Sequence, residues 1–155
     1  MAIRTQHEIT ENTWFITFTC YKWLPLFELT QSYDAVYKWF DILKAYGLDV
    51  IGYVIMPNHI HALIAYMPGE KSINTVVGNG KRFLAYEIVD KFKAQGNKDM
   101  LQKLADGVWP SDRRKGKLHE AFEPSFECKL CYNQKFVNQK LSYIHGNPVD
   151  RKSVV

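Results

Sequence analysis

The segment Thr13-Trp14-Phe15-Ile16-Thr17-Phe18-Thr19 alternates aromatic and β-branched residues in the manner of a half-buried strand. From Gln31 to Tyr46 the apolar positions Tyr33, Val36, Tyr37, Phe40, Leu43 and Tyr46 recur at helical spacing, and Gly47 supplies a stop. Two apolar runs follow, Leu48 to Met56 and His59 to Met67, separated by Pro57-Asn58, whose backbone chemistry favours a tight turn. They predict a β-hairpin. Ser72 is placed to cap a helix reaching about Ala94, with Gly78-Asn79-Gly80 predicting a kink or a late start because glycine is costly inside helices. Residues 95–118 are polar and basic and predict a loop with one short helix. Phe122 to Leu130 predicts another strand, and Asn133 to about Gly146 a last helix ending before Pro148.

Strand, helix, hairpin, helix, strand, helix is the β-α-β-β-α-β order. It predicts an α+β, ferredoxin-like sandwich in which an antiparallel sheet carries its helices on one face. A length of 155 residues suits a single domain over 1–155. No apolar stretch approaches the roughly 18 residues of a membrane-spanning helix, and Met1 to Glu11 lacks a signal peptide's apolar centre. A cytoplasmic protein with three reduced cysteines and no membrane partner is expected.

Charge changes this picture only when divided along the chain. Residues 1–70 carry 4 basic and 7 acidic side chains, whereas residues 71–155 carry 16 basic and 9 acidic. A basic second half suits a polyanionic partner, and equally a solvated lysine-rich surface.

Within the hairpin, His59 and His61 stand at i and i+2 and project to one side of a strand, with Ile60, Ala62 and Ile64 on the other. Such a pair can chelate one metal ion, or can simply be two hydrogen-bonded imidazoles at a strand end. In the last helix Val137, Leu141 and Ile144 form a core stripe, with Tyr143 and Asn147 four apart on the neighbouring stripe. Cys128 and Cys131 have zinc-knuckle spacing, but no second ligand pair lies nearby, and i and i+3 of a strand point to opposite faces. His7, His119 and His145 belong to no constellation.

Met56-Pro57-Asn58-His59-Ile60-His61, followed about eighty residues later by Tyr143-Ile144-His145-Gly146-Asn147-Pro148-Val149, resembles the single-tyrosine HUH transposases, in particular their REP-associated branch. The resemblance implies metal-binding His59 and His61 and a Tyr143 nucleophile that forms a 5′-phosphotyrosine while freeing a 3′-hydroxyl. Asn147 would be the third, polar ligand, on Mg²⁺ or Mn²⁺. It further implies single-stranded DNA with short hairpins as substrate, and a monomer or a homodimer. Lys81, Arg82, Arg113, Arg114 and Lys115 are the expected basic surface. If about five phosphates were neutralised, log affinity should fall with log salt at a slope of roughly −3.5. Many relatives continue beyond the Asn-Pro-Val motif, and the Phe122 to Cys131 stretch departs from them in lacking tryptophan and histidine. The alternatives are a non-catalytic nucleic-acid-binding module on the same scaffold, and a phosphodiesterase that uses activated water.

Overall fold

The structure is a computed structural model that describes residues 13–66, 72–131, 133–146 and 151–154. Strand β1 (Thr13–Thr19) runs into a 3-10 turn (Tyr21–Trp23) and the short helix α1 (Leu26–Thr30). Helix α2 (Tyr33–Ala45), the hairpin β2 (Leu48–Met56) and β3 (His59–Tyr66), and helix α3 (Ile73–Gln95) follow. The chain continues through α4 (Lys98–Asp106), α5 (Pro110–Arg114), β4 (Glu127–Cys131), α6 (Gln134–Gly146) and β5 (Arg151–Val154). The sheet order is β4-β1-β3-β2-β5, with every neighbouring pair antiparallel. Four of these strands have the ferredoxin-like arrangement. The fifth, β5, was not foreseen and pairs with β2.

Side-chain alternation assigns the two faces of the sheet. Ile16, Phe18, Ile55, Ile60, Ala62 and Ile64 turn to one side, where they form the main core with Val36, Trp39, Phe40 and Leu43 of α2 and Val77, Leu84, Ile88 and Phe92 of α3. Fully burying aromatic and aliphatic side chains of this size stabilises by roughly 1.5–3 kcal/mol each, so this face holds most of the cohesion. Phe15, Val54 and Leu63 turn to the other side and meet Val137 and Ile144 of α6. Helices on one face therefore describes α2 and α3, while α6 occupies the opposite face.

Two local expectations are corrected. Helix α3 runs unbroken through Gly78-Asn79-Gly80, capped by Ser72, whose hydroxyl accepts from the Thr75 N–H. A Cβ on Gly80 would collide with the Trp39 indole, so the missing side chain lets α2 and α3 approach, which outweighs its helix cost. Residues 95–118 hold two helices rather than one. The apolar signal of α4 is sparse, with only Leu104 of its nine residues buried, and Asn97 caps it by accepting from the Met100 N–H. Among the described residues no helix is long and apolar enough to cross a membrane.

Candidate metal and nucleophile site

The antiparallel register places His61 opposite Thr17 on one side and Val54 on the other, and His59 opposite Thr19 and Met56. Both imidazoles emerge on the α6 face, with ring centroids 4.8 Å apart. Each ring is tethered through Nδ1: His59 Nδ1–H donates to Asn58 Oδ1 at 2.7 Å, and His61 Nδ1 lies 2.7 Å from Thr17 Oγ1. With Nδ1–H donating to these oxygens, both Nε2 atoms keep a lone pair. That is the orientation in which a partner behind the ring prepares a histidine for a metal.

His61 is buried, and burial pushes its pKa down to about 4, helped by the charges of His59 and Lys140 and opposed by that of Glu127. Burial also lowers the pKa of His59. Neutral rings near pH 7 are the metal-competent form. Phe15 lies parallel to the His61 ring at 5.6 Å, and Trp23 meets the His59 ring edge-on at 6.1 Å.

Helix α6 leaves β4 at one edge of the sheet and leads to β5 at the other, so it must cross the face that carries the histidines. Val137 and Ile144 anchor it on Phe15, Val54 and Leu63. This anchoring brings the Tyr143 ring to 5.2 Å from His61 and 6.2 Å from Phe15, while the side chain keeps about half its surface (52%) open to solvent. The structure thus brings His59, His61 and Tyr143 together. Asn147 lies outside the described residues, and among the described residues no third His, Cys, Asp or Glu completes a metal cluster with the histidines.

Thr17, Asn58, Phe15, Trp23, Glu127 and Lys140 were missed by sequence reasoning. Asn58 precedes His59 directly and could have been found as a ring partner. Thr17 needs the cross-strand register, which sequence spacing does not provide. Lys140 stands 4.5 Å above the Phe15 ring, one helical turn before Tyr143. It is a cation on the site's own face.

The predicted basic residues gather elsewhere. Lys81, Arg82 and Lys115 line an open groove of about 830 Å³ between α3 and residues 109–124, with Lys93, the exposed Tyr86 and the exposed Trp109. Arg113 and Arg114 close α5 beside it. Two of the five cations are committed to the protein itself: Lys81 Nζ–H donates to the Glu123 carbonyl at 2.7 Å, and Arg113 Nη2–H to the Ala105 carbonyl at 2.6 Å. Cys128 and Cys131 join different clusters on opposite faces of the sheet and share no ligand.

No protein-family model matches the sequence, and no curated protein matches it either. Among solved structures, a REP-associated tyrosine transposase bound to a REP hairpin superposes with a TM-score of 0.57 at 18% identity, covering 91% of this chain and 68% of that one. A candidate transposase from Deinococcus radiodurans R1 gives 0.51 at 16% identity, covering 86% of this chain and 88% of that one. The chain has a tyrosine-transposase-like fold.

Proposed function

We propose that the protein is a metal-dependent single-tyrosine nuclease of the transposase type, which cuts and rejoins single-stranded DNA at hairpin-bearing sites. The observation that carries this reading is a half-exposed tyrosine beside two tethered, neutral histidines on one face of a transposase-like fold. A hairpin is what the REP-associated neighbour was solved with, and its extension to this chain is part of the proposal.

The donor set fits a divalent ion such as Mg²⁺ or Mn²⁺: His59 and His61 would hold it through Nε2, with Asn147 as the proposed oxygen ligand. When bound, such an ion supplies charge neutralisation at a non-bridging phosphate oxygen. Tyr143 Oη forms the new bond to phosphorus and the P–O3′ bond breaks. The tyrosine proton passes to solvent, which reaches the half-exposed ring, and the departing oxygen takes a proton to become a 3′-hydroxyl. Rejoining is the reverse, with an incoming 3′-hydroxyl displacing the tyrosine. Arg82, Lys93 and Lys115, with Tyr86 and Trp109 nearby, would hold more distant phosphates and bases.

Incubation with hairpin-bearing single-stranded oligonucleotides and Mg²⁺ or Mn²⁺ should give a covalent protein–DNA species that Tyr143→Phe abolishes. An adduct in that variant overturns the nucleophile. Cleavage without any adduct indicates activated water, and binding without cleavage indicates a binding module.

A further inference from the structure

Trp23 is an exposed tryptophan in a turn that its backbone does not favour. Lys22 and Trp23 both take left-handed conformations, φ 52° and 59°, which non-glycine residues adopt only when their surroundings hold them there. The surroundings are specific. Just before the turn the Cys20 N–H donates to the Asn58 carbonyl at 2.8 Å, and just after it the Phe27 N–H donates to the Pro57 carbonyl at 3.1 Å. Pro57 and Asn58 are the two residues of the hairpin turn that delivers His59. Within the turn, Tyr21 N–H donates to the Ala121 carbonyl at 2.9 Å, and the Tyr21 ring lies so close to Gly107 that a Cβ there would stand 2.5 Å from it.

This bracing does not bury the indole, which remains 62% exposed with its edge against His59. The next residue back, Lys22, is an exposed cation. A large flat aromatic set against His59, next to a cation whose ammonium lies 5.4 Å from the Tyr21 ring centroid, matches the chemistry of one nucleotide: a base to stack and a phosphate to neutralise.

We propose that Trp23 is a stacking platform for the nucleobase flanking the reacting phosphate and that Lys22 contacts that nucleotide's backbone, making both positioning residues of the site. The assignment rests on the DNA-processing reading above, but its test reads binding in the absence of cleavage. The probes are an oligothymidylate of about 16 nucleotides and an abasic sugar-phosphate chain of equal length, titrated against the full-length protein in chelator. Trp23→Ala should weaken oligothymidylate binding by roughly tenfold to a hundredfold while leaving the abasic chain's affinity unchanged, and Trp23→Phe should restore most of the loss. Lys22→Gln should weaken both probes and reduce the salt slope by about 0.7. An unchanged ratio of oligothymidylate to abasic affinity in Trp23→Ala, with thermal melting confirming a folded protein, overturns the stacking role. Loss of both affinities to the same extent overturns it too, since it would mark a merely structural residue. Because no strand is cut in this measurement, failure of the Tyr143 adduct assay leaves its outcome readable.

Discussion

The two faces of the sheet use their side chains differently. On the α2 and α3 face, alternate residues of β1, β2 and β3 are spent on a continuous apolar core that includes Phe18, Phe27, Trp39 and Phe92. Among the described residues the apolar cluster buried on the α6 face is limited to Phe15, Val54, Leu63, Cys131, Val137 and Ile144, and neighbouring positions go to His59, His61, Thr17 and Tyr143. The contrast teaches that the fold concentrates cohesion on one side, so that the other can keep polar rings in fixed places with solvent access.

The contrast can be broken from either side. Tyr143→Phe should cost at least about a thousandfold in adduct formation yet move stability within roughly 0.5 kcal/mol, as read by cleavage assay and urea titration. On the core face Phe92→Ala should do the opposite, removing about 3–5 kcal/mol of stability through lost burial and a cavity. Gly80→Ala should cost about 1–3 kcal/mol by forcing α3 off Trp39, although alanine is the better helix former, and a gain in melting temperature would refute the close-approach account.

Acidity probes the polar face through His61. Because burial holds His61 near 4 against an ordinary 6.5, the unfolded chain binds the extra proton between those values. Metal-free stability should therefore be full above about pH 6.5 and decline as pH falls through about 4, and His61→Gln should flatten that decline. The smallest effects concern the turn and the groove. Trp23→Gly should be more stable than Trp23→Ala by about 1 kcal/mol, since glycine accepts the positive φ. With Lys81 and Arg113 committed to carbonyls, the five cations singled out from sequence should contribute a salt slope nearer −2 than −3.5, measured by single-strand binding across a salt series.

Period and punctuation made much of this legible. Strand β1, the hairpin, α2 with its Gly47 stop at φ 84°, and the Val137 and Ile144 stripe of α6 follow from local pattern, and the shared face of His59 and His61 follows from strand alternation. What stayed hidden depends on neighbours distant in sequence. Gly80 reads as a helix breaker until Trp39 is placed against it. Lys81 and Arg113 read as free cations until the carbonyls of Glu123 and Ala105 reach them. The four residues of β5 are too few for a pattern, and Trp23 in its short turn carries no periodic signal at all.

That last strand has a mechanical consequence. Helix α6 is supported like a beam, with β4 bonded into one margin of the sheet and β5 into the other. Deleting 151–154 would leave a cantilever, clamped at β4 and resting on Val137 and Ile144, with its free end beyond Tyr143. The reacting atoms would all remain, but the tyrosine would sweep an arc instead of holding a point. Amide exchange along α6 should quicken progressively from Val137 towards Gly146, so a four-residue strand would govern how sharply the proposed nucleophile is aimed.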